Sequence, residues 1–500
     1  MITKQDKKNA IWNSAAFIFL SLAGFFNFSL TLKTYSSEIF GLYILMISIF
    51  GLGYTFDFGF GAAIIRQISI AKKENDNVLI KKFFFTFLMV YLSLSVAITF
   101  ITVGYYYLFL SDSEIVKSVP NVNINSIFII ISISFFFQYL NNYLKIVFEG
   151  FSEFIVLSKI LFIITGINTI LIVLLYIFEF ELIYLALITL FVQLFSVLVF
   201  FFKLYFSHKE LSFSFANFDI SLIKKYAVYG LNIQISSFIN SLLDPVMKLL
   251  IGSFLSLSFV TFFETSKKII NLSSGLIFSA QKGIFNRLSE QHAAGTLNEF
   301  VNNQLYFYSK MSNYYTVLVY GLLNPLICYG VLLWFKNYES VIILLIFFLP
   351  YSLINYGGAL YSVLMVDGKG IRLVLIQSIN LVTTSLLLFL SLNYSGSYLG
   401  LSAYYIAIIV NTIIIFIMLR KSNNFDYYKY LKDSVIWDIA IMNIIIIVQT
   451  IFMFIFTDYY VNILIIFFIL YSIVFIKYVK YFFNIFMARI TNKINSSINA

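Results

Sequence analysis

A chain of 500 residues with one cysteine and two histidines, His208 and His292, holds neither a disulfide framework nor a Cys/His metal cluster. Its four prolines exclude a proline-rich linker. Charged side chains make up only 11% of the residues, against about a quarter in ordinary soluble domains. No G-x-x-x-x-G-K-[ST] sequence occurs, so no P-loop cradles a nucleotide phosphate. Thiol redox chemistry, metal catalysis and nucleotide hydrolysis are thereby set aside, and no metal, cofactor or catalytic residue is expected. A net charge of +10 would suit nucleic acid, but so apolar a chain offers no water-exposed basic face to bind it. The excess is expected to report membrane topology instead.

What the chain does have is apolar surface: 61% hydrophobic residues, 20% aromatic ones and a mean hydropathy of +0.92. A bilayer core about 30 Å thick takes roughly 20 to 25 apolar residues per helix, so about fourteen spans fit. Runs of that length are read at 11–32, 40–64, 83–110, 127–148, 154–178 and 182–202, then at 226–254, 257–278, 305–335, 341–366, 373–392 and 398–419. A final pair follows at 435–456 and 461–476. The expected fold is an all-α integral membrane protein. A six-helix bundle occupies 1–206, a cytoplasmic connecting segment 207–225, and a second six-helix bundle 226–420. Two additional helices and a cytoplasmic tail fill 421–500.

An even number of spans puts both termini on one side, and the positive-inside bias tests the count. With the termini in the cytoplasm, most of the 33 lysines and arginines fall at inner loops and inner helix ends, and the outer loops keep only Lys33, Lys117 and Lys336. The basic and then apolar start resembles a signal peptide but is too long for one, and is read as a retained first helix. The longest outer loop, 111–126, carries only Asp112, Glu114 and Lys117 as charges, too few for a catalytic domain.

The two sets of six spans begin alike. Lys7-Lys8-Asn9-Ala10 opens the first and Lys224-Lys225-Tyr226-Ala227 the seventh. Lys33 corresponds to Lys248, and Phe40 to Tyr43 corresponds to Phe259 to Phe262, roughly 215 to 219 positions apart. Duplicated units with an even number of spans run parallel, related by an axis along the membrane normal.

Charges inside spans are costly and mark partners or water-filled cavities. Span seven carries Asp244 and Lys248 at i,i+4, and span eight carries Glu264 with Lys267 and Lys268 at i,i+3 and i,i+4, spacings that set each acid over its base. At 1.5 Å per residue from Leu257, Lys267 and Lys268 lie roughly 15 Å deep, where snorkelling helps least. Two arrangements satisfy them: a cationic cavity that receives an anion such as phosphate, or an inter-helical ion-pair network that closes the bundle. Lys159 and Lys310 stand nearer the inner ends of their spans, where they join such a cavity or snorkel. Asp57, between phenylalanines and glycines in Phe56-Asp57-Phe58-Gly59, has no i,i+4 base, so it carries a proton or meets another helix. Asp57, Asp244 and Glu264 are thus candidates for a coupling ion or for salt bridges. Pro245, Pro325 and Pro350 interrupt spans seven, nine and ten and are candidate gating kinks.

The order of Lys8-Asn9-Ala10-Ile11-Trp12-Asn13, Phe40-Gly41-Leu42-Tyr43 and Asp57-Phe58-Gly59-Phe60-Gly61-Ala62-Ala63 with Arg66 resembles the polysaccharide-biosynthesis flippases of the Wzx type. These belong to the multidrug/oligosaccharidyl-lipid/polysaccharide exporter superfamily. The motif resemblance covers about the first seventy residues, and the twelve-plus-two architecture covers the chain. It implies a MATE-like pair of bundles and export of an undecaprenyl-pyrophosphate-linked oligosaccharide, such as an O-antigen repeat, by alternating access. The export runs from the cytoplasmic to the periplasmic leaflet of a bacterial inner membrane. The cavity is expected to be lined by Lys248, Lys267, Lys268, Lys310 and Lys159, where many relatives use arginines. Expected partners are the lipid-linked oligosaccharide, membrane lipids, H+ or Na+, and the polysaccharide polymerase machinery, with no nucleic acid. The alternatives are a multidrug or cation antiporter of the same superfamily, and a membrane glycan polymerase.

Overall fold

The structure, a computed structural model, describes residues 4–54, 60–111, 123–208, 211, 214–293, 295–303, 305–366, 370–423, 436–476 and 478. The described residues form helices and short turns, with no strand among them. By packing, the chain divides into two compact units, Met1–Thr261 and Phe262–Ala500.

The first unit holds α1 (Lys4–Thr34), α2 (Ser37–Tyr54), α3 (Phe60–Glu74), α4 (Asn77–Tyr105), α5 (Ile124–Gly150), α6 (Phe154–Ile177), α7 (Leu182–Ser207) and α8 (Ile220–Phe254). The first turns of α9 (Leu257–Ala293) also belong to it. Side-chain caps set several starts: Asp76 accepts from the Leu79 amide, Asn123 from Ser126 and Asp219 from Ser221. The inner part of this unit is aromatic. Phe60, Phe83, Phe84, Phe87, Tyr91, Tyr139, Tyr143, Phe148 and Phe200 form one buried cluster, and the Tyr143 hydroxyl is satisfied by the Phe84 carbonyl.

Within the run at 40–64 the structure describes α2 as far as Tyr54 and α3 from Phe60, and residues 55–59 lie outside the described residues. One stretch extends beyond its apolar run. The run at 257–278 continues as helix to Ala293. At 1.5 Å per residue its 37 residues reach about 55 Å, more than a bilayer core, so its polar half remains helical beyond the apolar part.

Hydrogen bonds sort the turns of this unit into two ends. At one end, Ser69 Oγ and Lys72 Nζ donate to the Gly150 and Phe151 carbonyls at 2.8 and 2.7 Å. There too His208 Nε2 meets Glu153 Oε1 at 3.1 Å and Lys82 Nζ meets Asp219 Oδ2 at 3.3 Å. At the other end, Tyr35 Oη donates to the Phe180 and Glu181 carbonyls at 2.9 and 3.1 Å. Turns with inner assignments in the sequence thus touch inner ones, and outer touch outer. Such a grouping requires the intervening helices to run end to end, and lysines concentrate at the first end.

The second unit continues α9 and adds α10 (Leu297–Asn303), α11 (Leu305–Val317), α12 (Asn324–Phe335), α13 (Tyr338–Val366), α14 (Gly370–Ser395), α15 (Ala403–Asn423), α16 (Ile436–Ile455) and α17 (Thr457–Ile476). Its centre is α13, buried on all sides from Ser340 to Pro350. Polar contacts tie α16 to α13 and α17 to α16. Asn443 of α16 accepts from Ser352 Oγ at 3.0 Å and donates to Tyr405 Oη at 3.0 Å, while Tyr471 of α17 donates to Gln449 Oε1 at 3.1 Å.

Among the described residues, ten helices are long and apolar enough to cross a membrane. The pair Asn313–Leu322 and Asn324–Phe335, bent by 48°, makes an eleventh if counted as one span. The remaining runs read from sequence, 11–32, 40–64 and 257–278, lie on α1, on α2 with α3, and on α9. Outward faces carry large apolar residues such as Leu108, Phe206 and Ile473, as a lipid-facing surface requires.

Candidate functional site

Charges within the membrane-spanning helices collect on α8 and α9, and the two sets have different surroundings. On α8, a helix turn brings Asp244 over Lys248, and their Oδ2 and Nζ lie 2.9 Å apart. Lys248 Nζ also donates to Ser48 Oγ of α2 at 2.6 Å. The residue is only 2% exposed, between buried Met247 and Ile251. Its charge is therefore held by a carboxylate and a hydroxyl inside a packed seam, as a buried ammonium demands.

On α9, the 3.6-residue period separates two faces. Phe263, Ser266, Ile270 and Ser274 are buried. Glu264, Lys267, Lys268 and Asn271 form the other stripe, and each is at least partly exposed. Lys268 Nζ lies 3.8 Å from Glu264 Oε1, a loose pair with the lysine side chain 36% exposed. Two ammonium groups share this stripe with one carboxylate, so it carries net positive charge. Facing hydrocarbon such a stripe would be expensive, so it requires polar partners or water on that side.

The other expected site residues are dispersed. Lys159 is exposed on the second turn of α6. Lys310 on α11 is half-buried with its ammonium 5.8 Å from the Tyr314 ring centroid, a cation–π distance. Asp57 lies outside the described residues. Pro325 sits in the first turn of α12, just after a π turn at Leu318–Leu322 and at the 48° bend. Pro245 and Pro350 are buried inside continuous helices. No group of three or more His, Cys, Asp or Glu side chains suited to a metal ion occurs among the described residues.

Sequence reasoning missed what faces Lys248. Ser48 stands 200 positions away and is one of many serines in apolar helices. Gly41 gave a signal, as part of Phe40-Gly41-Leu42-Tyr43, but not its reason. A Cβ there would sit 1.9 Å from the Leu257 carbonyl oxygen, so α2 meets the α8–α9 turn at backbone distance.

The described residues build a polytopic, all-helical membrane fold. It is similar to the lipid II flippase MurJ in an inward closed conformation, with a TM-score of 0.66 and 16% identity over 95% of this chain and 100% of that one. It is similar also to an inward-facing multidrug resistance MATE family transporter of the MOP superfamily, with a TM-score of 0.61 and 15% identity over 85% and 96%. A MOP superfamily transporter from Pyrococcus furiosus, described as having a binding pocket of reverse polarity, has a TM-score of 0.58 and 15% identity over 83% and 94%. No curated protein sequence matches. The model of the polysaccharide biosynthesis protein family matches residues 7–292, and the chain belongs to that family.

Proposed function

We propose that this protein is a flippase for an oligosaccharide carried on undecaprenyl pyrophosphate, moving it from the cytoplasmic to the periplasmic leaflet of a bacterial inner membrane. The observation that carries the reading is the cationic stripe Glu264, Lys267, Lys268 and Asn271 on a face of α9 that is not packed away. A pyrophosphate is the dianionic or trianionic group that two ammonium groups with one carboxylate attract, and lysines bind phosphate as point charges. Sugar hydroxyls dragged unpaired through hydrocarbon cost several kcal/mol each, so a polar path for the glycan removes the barrier while the polyprenyl tail stays in lipid. Membership of the polysaccharide biosynthesis protein family supports the substrate class.

In this reading two six-helix bundles alternate access, with both termini and the lysine-rich end in the cytoplasm. Lys267 and Lys268 hold the pyrophosphate, and Lys159 and Lys310, nearer that end, draw it in. Glu264, Asp244 or Asp57 couples H+ or Na+ movement, and the bend at Pro325 accommodates the change of shape. Lys248 is excluded from the anion site because Asp244 and Ser48 already hold its charge.

A multidrug or cation antiporter is the competing reading, favoured by the similarity to the MATE family transporter. Purified protein in vesicles that carry a lipid-linked oligosaccharide in both leaflets separates the two. A flippase renders the inner-leaflet glycan accessible to external periodate within minutes. An antiporter leaves that glycan protected and moves a cationic dye along an imposed ion gradient.

A further inference from the structure

We propose that Lys248 is a positioning residue, the inner catch of a seam that holds the outer end of this transporter closed. The seam is a ladder between one stripe of α2 and the antiparallel α8 with its turn into α9. Ser37, Gly41, Leu45 and Ser48 succeed one another at helical spacing on α2. Their partners run in the opposite order. Ser37 Oγ lies 2.8 Å from Ser258 Oγ, and Thr261 Oγ1 donates to the Ser37 carbonyl at 2.7 Å. Gly41 meets the Leu257 backbone, Leu45 lies where Gly252 leaves room, and Ser48 Oγ receives Lys248. At 1.5 Å per residue the ladder runs roughly 16 Å inward from Ser37.

Its composition suits a closure that must open. Three of the four α2 positions are glycine or serine, so the backbones approach closely through hydroxyl and carbonyl contacts instead of interlocked apolar side chains. Those polar groups find water as partners when the helices part. The buried pair at the inner end fixes register while adding little net stability, since desolvation of a buried ion pair offsets much of its Coulomb attraction. Opening frees Lys248 from Ser48 but leaves it beside Asp244, which lies on its own helix. Parting of the helices therefore does not by itself separate the ammonium from Asp244.

This role deepens the alternating-access reading and rests on it for its transport arm alone. Opening of the seam is read without transport as the rate at which Ser258→Cys reacts with a membrane-impermeant maleimide added from the outer side. Cys328, the native cysteine, is fully buried and stays unlabelled. Adding Lys248→Met is expected to raise that rate about tenfold, the worth of a hydrogen bond to a charged group, and Ser48→Ala to raise it in the same direction. In vesicles, the pair Ser37→Cys and Ser258→Cys is expected to stop flipping when oxidised and to recover on reduction. Unchanged labelling in both Lys248→Met and Ser48→Ala overturns the role of Lys248. Flipping at full rate by the oxidised pair overturns the seam as a gate. If the unmodified protein flips no glycolipid, the flippase reading fails while the labelling rates still decide the catch.

Discussion

Lys248 and Ser48, 200 positions apart, meet at 2.6 Å in a seam where the lysine is almost fully buried. With Asp244 at 2.9 Å the ammonium has an anion on its own helix, and removal of that anion weakens the compensation of a buried charge. Asp244→Asn is therefore expected to lower stability by on the order of 3 kcal/mol, whereas Asp244→Asn with Lys248→Met, which removes both charges, is expected to recover most of it. Thermal unfolding in detergent checks this as a double-mutant cycle. Additive losses would show that the two residues do not act as a pair.

Gly41 has no room for a side chain. Its neighbour on that side is the Leu257 backbone, which cannot swing away as a flexible side chain does. Gly41→Ala is expected to part α2 from the α8–α9 turn, lowering the melting temperature and speeding maleimide labelling of Ser258→Cys. Gly24→Ala, at a position with open space around it, serves as control and is expected to change neither.

The last two helices depend on buried hydrogen bonds. The Tyr471 hydroxyl donates to Gln449 Oε1 at 3.1 Å, and both residues are fully buried. Tyr471→Phe keeps the ring and strands the amide, so a loss of about 1 to 2 kcal/mol is expected. Thermal unfolding reads it, and Tyr394→Phe, at an exposed tyrosine, is expected to be neutral.

Asp219 caps α8 outside the spanning segment. The Ser221 hydroxyl and then its amide hold the Asp219 carboxyl below the usual carboxylate value, with Lys82 adding to the effect. A depressed value in the folded state means the cap's contribution is complete above the ordinary carboxylate range, near pH 4, and fades as pH falls through the lower folded value. Protection of the Ser221 amide from hydrogen exchange, relative to its intrinsic rate at each pH, is expected to fall below about pH 4. In Asp219→Asn, which caps without titrating, protection is expected to lose that dependence. The same acid-induced change in Asp219→Asn would contradict the assignment.

Much of the fold is legible in the sequence because bilayer solvation writes itself into long apolar runs. The run at 127–148 is the core of α5, Ile124–Gly150, and that at 373–392 is the core of α14, Gly370–Ser395. Where helices end is less legible. Helix α9 goes on to Ala293 after its apolar run has stopped, because hydropathy and helicity are separate properties. At the site, i,i+4 spacing was enough to pair Asp244 with Lys248 and Glu264 with Lys268. It could not say that Lys248 lies buried against Ser48 while Lys268 stays partly exposed, since the first depends on a helix 200 residues distant.

The cationic stripe on α9 is tested most directly by replacing Lys267 and Lys268 together with glutamine, which keeps polarity and removes both charges. In vesicles with lipid-linked oligosaccharide, the variant is expected to retain its unfolding temperature within a few degrees and to lose glycan flipping to the protein-free rate. Flipping at the unmodified rate by a folded variant would contradict the account.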